Sequence, residues 1–378
     1  MSRAITIFCI GSLLLAALYI LQQSVQNYQD GGDLWKQGDW LINSELGPVR
    51  RAFLGNIILR ISDISNTSPL LITWLIQVIL LTALITLLLL AIKSSQATPI
   101  IWTIILSPAF FLFFWAAEPR ASIRKELIIY VAFLCLLTAY NSLQWTRLLI
   151  VLSTFLFVVG IIGHEAMALF FPAYVICLMI LVKKNNLSST FIYIPIGIAL
   201  SASVGSILYA LAHPSVEDFQ QVCQPLLKRG LNSSICDGAI KWLEYDTKTN
   251  SDLVRNDATA SKFSKLALGY ALSSIGFIFF AYHTNAYSKV MALYATSAIP
   301  FIPLFALGID WGRWLNFHFS SAVFISIALL ISGSLKIEKN HSNIYLITFL
   351  LSNFIWSIGR VAPLTPFGVL GQAYRTLF

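Results

Sequence analysis

Long apolar stretches, separated by short polar segments, dominate this sequence. A helix that crosses the hydrocarbon core of a bilayer needs about 20 apolar residues, because a helix satisfies its own backbone hydrogen bonds there. The pattern therefore predicts an all-α, polytopic integral membrane protein, with one transmembrane domain over residues 1–378 and about eleven spans. The predicted spans are 4–22, 69–92, 99–117, 127–143, 148–163, 166–182, 190–212, 266–283, 290–308, 315–334 and 344–361.

Two longer polar segments, a first loop at 23–68 and a large loop at 213–264, fall on the same predicted side of the membrane. The short loops on the other side hold eight cations and one carboxylate, whereas the remaining charges nearly balance. Because cytoplasmic loops carry the excess of Lys and Arg, the N-terminus is predicted to be cytoplasmic and both longer loops extracytoplasmic. The eight cations are Arg3, Lys93, Arg147, Lys183, Lys184, Lys289, Lys336 and Lys339.

The composition supports this assignment and removes other classes. Hydrophobic residues make up 57% of the chain and charged residues only 11%, which is too little polar surface for a soluble domain. The net charge of +8 lies almost entirely in the predicted cytoplasmic loops. It is therefore a topology signal, and no nucleic-acid partner is predicted.

The five cysteines divide in the same way. Cys9, Cys135 and Cys177 lie within apolar spans, where a free cysteine behaves as a small hydrophobic residue. Cys223 and Cys236 lie in the large loop on the predicted outer side, where thiols oxidise. A disulfide between these two is predicted, and two reduced surface cysteines are the alternative.

Charged and indole side chains collect at the predicted outer helix ends. Retaining a charged group at membrane depth costs about 2.5–3.5 kcal/mol, so one kept at or near that depth indicates function. Five separated segments carry such groups, and no cytoplasmic loop has a comparable set. The segments are 30–55, 118–126, 164–165, 310–314 and the end of the last span at Arg360.

These residue types favour glycosyl transfer from a lipid-linked donor. A carboxylate accepts the proton of an attacking hydroxyl, and cations hold a leaving phosphate. Asp39 is the first choice for the general base, Glu45 and Glu165 come next, and His164 and Asp310 are expected to orient or relay. The predicted substrate-binding residues are Arg50, Arg51, Arg124, Lys125 and Arg313 for pyrophosphate, with Trp40 and Trp311 for sugar rings.

Structural interpretations of the same residues stay open. The tryptophans are alternatively interfacial anchors, and Arg50 and Arg51 alternatively pair with lipid headgroups. Asp310 and Arg313, three residues apart, are alternatively an ion pair that closes a helix end. No cofactor is predicted. Asp30, Asp33 and Asp39 offer carboxylates to a divalent metal, but their spacing is not diagnostic, so no metal site is assigned.

The quoted residues resemble polysaccharide polymerases of the Wzy type and the wider set of multi-pass, GT-C-like glycosyltransferases. The resemblance implies a catalytic acid in the first outer loop, where Asp39 or Glu45 would act. It also implies undecaprenyl-pyrophosphate-linked oligosaccharides as substrates at the periplasmic face of a bacterial inner membrane. A flippase and a chain-length regulator are the implied partners, besides membrane lipids. The matching segments are Gly38-Asp39-Trp40, Gly47-Pro-Val-Arg50-Arg51-Ala-Phe-Leu-Gly55, Arg124-Lys125-Glu126, Gly163-His164-Glu165 and Gly308-Ile-Asp310-Trp311-Gly312-Arg313-Trp314.

The expected activity is polymerisation of O-antigen, capsule or exopolysaccharide repeat units. A flippase or other transporter of lipid-linked oligosaccharide is the alternative, and a transferase that decorates the polymer is a third. The sequence contains no P-loop, HExxH or GxSxG motif, so ATP-driven, zinc-dependent and serine-hydrolase activities are not indicated.

Overall fold

The computed structural model describes residues 2–94, 99–140, 144–338, 343–361, 365–366 and 368–377, and these form an almost entirely helical structure. The only sheet among them is the antiparallel pair β1 (Trp356–Ser357) and β2 (Thr365–Pro366). The α-helices are α1 Ser2–Gln29, α2 Gln37–Trp40, α3 Phe53–Ser65, α4 Pro69–Ser94, α5 Trp102–Ile105, α6 Phe111–Ala117, α7 Glu126–Ala139, α8 Thr146–Gly163, α9 Phe171–Lys184, α10 Thr190–Ala212, α11 Gln220–Lys228, α12 Thr247–Asp257, α13 Ala260–Tyr282, α14 Tyr287–Thr296, α15 Leu304–Leu307, α16 Trp311–Ser332, α17 Asn343–Ser352 and α18 Gly368–Leu377. Shorter 3₁₀ segments are Pro99–Ile101, Pro119–Ala121, Glu165–Phe170, Ser233–Cys236, Lys241–Glu244 and Ile299–Phe301.

Eight helical segments of the described chain are long and apolar enough to cross a membrane. This is the architecture expected of a polytopic membrane protein, and each of the eight corresponds to one predicted span. They are Arg3–Gln29, Pro69–Ser94, Thr146–Gly163, Glu165–Lys184, Thr190–Ala212, Ala260–Tyr282, Tyr287–Leu307 and Trp311–Ser332.

The other three predicted spans differ from the structure. The stretch 99–117 is interrupted between α5 and α6, where Pro108 lacks a backbone N–H and so cannot continue a helix. This non-helical backbone is enclosed by protein, which is where irregular backbone is tolerated at membrane depth. In place of 127–143, α7 has 14 residues, and positions 141–143 lie outside the described residues. In place of the last predicted span, 344–361, the helix α17 is shorter and ends at Ser352.

The centre of the bundle is formed by α7 and α16, whose side chains are almost all buried. Phe133 of α7 stacks on Phe324 of α16 with 4.8 Å between ring centroids, and next to this pair Phe157 of α8 stacks on Tyr174 of α9 at 4.1 Å. Such ring pairs stabilise a core beyond the area that they bury. The charged ends of these central helices are therefore enclosed by neighbouring helices.

The first loop and the large loop fold together into a layer with its own apolar core, which includes Trp40, Ile235 and Ile240. The backbone N–H of Ala239 donates to the carbonyl of Leu34 at 3.0 Å, which ties the two loops together. The structure contains the disulfide Cys223–Cys236 that the sequence predicts. The large loop is thus a folded layer, and α13 begins at residue 260, earlier than predicted. Of the predicted cytoplasmic cations, Lys339 lies outside the described residues.

Candidate functional site

Three helices at one end of the bundle begin at carboxylates. Glu126 starts α7, Glu165 starts the 3₁₀ segment before α9, and Asp310 precedes α16. A negative charge there complements the positive end of the helix dipole. Each of these carboxylates also pairs with arginine, so the helix starts are joined to one another and to the first loop.

Glu165 is held by the arginine pair of the first loop. Arg51 donates from Nε to both carboxylate oxygens, at 3.0 and 2.9 Å, and its Nη2 also contacts Oε1. Arg50 adds a second cation at 3.7 Å. Burial, together with the neighbouring Arg51, lowers the pKa of Arg50 to about 10. Arg51 has a φ of +65°, a left-handed conformation that non-glycine residues adopt at a cost, as is common at functional sites.

A second group of ion pairs surrounds the start of α16. Arg313 donates from Nε and Nη2 to the two oxygens of Glu126, at 3.0 and 2.7 Å, and both side chains are less than 5% exposed. Asp310 lies within 3.7 Å of Arg124, 3.5 Å of Arg313 and 3.4 Å of Arg360. The ion pair between Asp310 and Arg313 that the alternative interpretation describes is present at the start of α16, as part of a larger group of ion pairs.

Lys125 connects the two groups, because it lies between Arg124 and Glu126 in the chain and its side chain contacts the first loop. Its Nζ lies 3.7 Å from Oδ1 of Asp39 and donates to the carbonyl of Arg51 at 2.9 Å. Burial lowers the pKa of Lys125 to about 8, although the Asp39 carboxylate opposes this shift. Burial alone would raise the pKa of Asp39, but the neighbouring cations, Lys125 first and then Arg51, outweigh it, so the pKa of Asp39 is lowered. Asp39 is thus a buried carboxylate held in its charged form.

His164 stands beside these groups as a neutral side chain. Its Nδ1 accepts a hydrogen bond from the backbone N–H of Ala166 at 3.2 Å, which assigns the ring proton to Nε2. Burial and the nearby Arg51 hold the pKa of His164 well below its usual value. His164 can therefore donate a hydrogen bond from Nε2 at neutral pH without adding charge.

We call these residues the charge cluster: Arg50, Arg51, Arg124, Lys125, Arg313 and Arg360, with Asp39, Glu126, Glu165 and Asp310. Its six cations exceed its four carboxylates in a buried setting, where an excess charge is costly. Several of its polar atoms have no hydrogen-bond partner within the described chain. They are Nε and Nη2 of Arg124, Nε of Arg50 and Oδ2 of Asp39.

Unpartnered buried donors on cations indicate a binding site, because buried polar groups in folded proteins are almost always satisfied. An anion with several oxygens would satisfy both the hydrogen bonds and the excess charge. The unpartnered oxygen of Asp39 adds a proton acceptor to the same cluster. The cluster therefore offers both N–H donors for an anion and a carboxylate oxygen that can accept a proton.

A cavity of about 390 Å³ lies between part of the cluster and α10. Arg50, Arg51 and Glu165 line one wall. The other wall comes from α10, whose small residues Gly205 and Ser206 leave space, while most of that helix is exposed. The cavity is therefore charged on one wall and lined mainly by small and apolar residues on the other.

Three predicted site residues take other positions in the structure. Glu45 lies in a surface ion triplet, where Arg229 donates to it at 2.7 Å and also binds Asp63. Trp40 is buried and donates from its indole to the carbonyl of Ile123 at 3.1 Å, so its ring is part of the layer core. Trp311 donates to Phe305 and packs on Phe263, so it too has a structural role.

The first-loop carboxylates Asp30 and Asp33 have partners within the protein. Asp33 accepts the backbone N–H groups of Trp35 and Lys36, and Asp30 accepts from the amide of Gln26. No group of three or more His, Cys, Asp or Glu within the described ranges is arranged to hold a metal ion.

Sequence reasoning did not assign roles to Glu126, Arg360 and Trp35, which the structure places in or beside the cluster. Glu126 is the partner of Arg313. The guanidinium of Arg360 lies over the ring of Trp35 at 5.0 Å, and that of Arg124 lies over the same ring at 5.7 Å. The available signal for Glu126 was a carboxylate directly before an apolar run, whereas no local pattern marks the contact between Trp35 and Arg360.

Comparisons of the chain with protein-family models, curated proteins and solved structures give no match.

Proposed function

We propose that the protein is a membrane glycosyltransferase that polymerises oligosaccharide repeat units carried on polyprenyl pyrophosphate. The observation that carries the proposal is the buried excess of cations, with unpartnered N–H groups on Arg124 and Arg50 and an unpartnered oxygen on Asp39 in the same cluster. A pyrophosphate ester supplies the anion, and an attacking sugar hydroxyl supplies the proton.

The cavity supports a lipid-linked donor. Its charged wall, at Arg50 and Arg51, suits pyrophosphate oxygens, because guanidinium groups form paired, charge-assisted hydrogen bonds with phosphate. Its apolar wall on α10 suits the first isoprene units of the carrier. Glu165 would orient Arg51, and Glu126 would orient Arg313, so both carboxylates act as positioning residues.

In the proposed reaction, a hydroxyl of the incoming lipid-linked unit attacks the anomeric carbon of the growing glycan. The new C–O bond forms as the bond to the polyprenyl pyrophosphate breaks, and the leaving oxygen takes the electron pair. Asp39 accepts the hydroxyl proton, while Arg50, Arg51, Arg124 and Lys125 stabilise the charge that develops on the leaving group. Nε2 of His164 donates a hydrogen bond to the same group.

The charge distribution of the loops supports a periplasmic site in a bacterial inner membrane, with a cytoplasmic N-terminus. In that setting a flippase would deliver the lipid-linked units, and a chain-length regulator would act on the product.

The direct test uses purified protein in detergent with two lipid-linked repeat units. Wild type should join them, Asp39→Asn and Arg51→Ala should lose at least 99% of the rate, and Glu45→Gln, in the surface triplet, should keep most of it. Wild-type rates in both cluster variants at normal folded levels would contradict the proposed site. A flippase, the alternative, forms no glycosidic bond and acts only across a membrane that separates two compartments. Glycan extension in detergent, where no such membrane exists, would therefore exclude flipping as the sole function.

A further inference from the structure

A pair of aromatic side chains from the large loop lies near the charge cluster. Trp242 and Tyr245, which we call the aromatic arm, pack edge to face with 4.8 Å between their rings. Trp242 also packs on Trp35 of the first loop at 5.7 Å, with 61° between the ring planes. All three rings are partly exposed, so they offer apolar surface to a ligand near the cluster.

The aromatic arm is linked to the cluster on two sides, once through Trp35 and once through its own backbone. On one side, Trp35 lies between Trp242 and Arg124: its ring is 5.7 Å from the ring of Trp242 and 5.7 Å from the guanidinium of Arg124. On the other side, Nη2 of Arg50 donates to the backbone carbonyl of Tyr245 at 3.3 Å. A molecule that reaches the unpartnered groups of Arg124 and Arg50 would therefore lie beside these rings.

The large loop holds the arm in a fixed position. The carbonyl of Leu243 accepts from the backbone N–H of Val216 at 3.0 Å, and Glu244 accepts from that of Phe219 at 3.0 Å. The indole of Trp242 donates to Oδ1 of Asn250 at 3.0 Å. Fixed rings bind a ligand without paying the entropy of being ordered first.

We propose that the aromatic arm binds the sugar rings of the acceptor glycan and so selects which repeat unit is extended. The C–H groups on the apolar face of a pyranose carry partial positive charge and favour the negative face of an aromatic ring. The edge-to-face arrangement of Trp242 and Tyr245 presents ring faces in two directions, which suits consecutive sugars. This inference deepens the proposed function and rests on it.

The experiment measures two binding constants on protein in detergent micelles by titration calorimetry. One probe is the lipid-free repeat-unit oligosaccharide, released by mild acid from the lipid-linked pool of the source cell. The other is undecaprenyl pyrophosphate. The variants are Trp242→Ala, Trp242→Phe and Arg51→Ala, with Trp145→Ala as the matched control, because Trp145 is 54% exposed and lies in another loop.

Trp242→Ala should bind the oligosaccharide about tenfold more weakly and the lipid pyrophosphate as wild type does. Trp242→Phe keeps an aromatic face and should stay within threefold of wild type for both probes. Arg51→Ala should lose the lipid pyrophosphate and keep the oligosaccharide. A monodisperse elution profile and an unchanged melting midpoint are required of each variant.

The outcomes separate the two proposals. Wild-type oligosaccharide affinity in Trp242→Ala, equal losses in Trp242→Phe and Trp242→Ala, or no oligosaccharide binding by wild type would overturn the role of the aromatic arm. Failure of wild type to bind undecaprenyl pyrophosphate would overturn the proposed function instead. An equal loss in Trp145→Ala would show that the effect is not specific to the arm.

Discussion

The buried ion pair between Arg313 and Glu126 gives the most direct test of how this end of the bundle is stabilised. Arg313→Met removes the cation and leaves Glu126, which is 1% exposed, without its two charge-assisted hydrogen bonds. Glu126→Leu removes the carboxylate instead, and the double variant replaces both partners with apolar side chains of similar volume.

Removing one partner of a buried ion pair costs about 3–5 kcal/mol, because the remaining charge has been taken out of water without compensation. Arg313→Met should therefore lower the free energy of unfolding by about that amount. Asp310 should add little to the loss, since it keeps Arg124 and Arg360 nearby. The double variant should recover most of the stability, because a well-packed apolar pair is often as stable as the ion pair it replaces.

The assay is equilibrium unfolding in mixed micelles with increasing SDS, followed by far-ultraviolet circular dichroism. Lys93→Met is the matched control, because that lysine lies in the last turn of α4 and has no part in the charge cluster. A loss of less than about 1 kcal/mol in Arg313→Met would show that the pair is not desolvated as the structure indicates. A double variant no more stable than Arg313→Met would refute the idea that the unpaired carboxylate causes the loss.

Three further predictions follow from particular residues. The pKa of Lys125 falls from 10.5 to about 8 on folding, so between these pH values the unfolded chain binds one proton more than the folded chain. The free energy of unfolding should therefore rise from pH 8 to 10.5, while the transfer rate should fall above about pH 8. Lys125→Arg should move that fall in rate to higher pH, and an unmoved rate profile would contradict the assignment. Gly55→Ala places a Cβ atom 1.9 Å from a backbone carbonyl and should lower the melting midpoint by several degrees, while Gly11→Ala, with open space, should not; equal midpoints would refute the close approach. Loss of the disulfide, in Cys223→Ser or by reduction, should destabilise the loop layer by about 3 kcal/mol and speed hydrogen exchange in that layer. Unchanged hydrogen exchange would show that the layer does not depend on the bond.

The positions of the spans follow from local sequence. Apolar runs such as Pro69–Ser94 have few ways to satisfy their backbone in lipid other than a helix, so their ends are readable without knowing their neighbours. The same reasoning misjudged 99–117, because a fully buried, Pro-interrupted segment has the composition of a span without its continuous hydrogen bonds. Hydropathy does not distinguish burial in lipid from burial in protein.

The sequence also indicated that polar helix ends would form one site, and the structure brings Asp39, Arg124, Glu165 and Arg313 into one cluster. It did not separate Asp39 from Glu45, which lie six positions apart in the same loop. One is buried beside Lys125 and the other is neutralised at the surface by Arg229. The different environments of Asp39 and Glu45 depend on Lys125 and Arg229, which are more than eighty positions away in the sequence.

The sequence by itself thus determined the helical class and eight of the spans, because transfer free energy is a sum over adjacent residues. It also predicted the cysteine pair, because Cys223 and Cys236 alone lie outside the apolar runs. Only the tertiary structure decided which carboxylate is neutralised by which cation, as with Glu126 and Arg313, which are separated by 187 positions. Coulomb attraction and hydrogen bonding change over a few ångströms, so these pairings depend on how the helices pack.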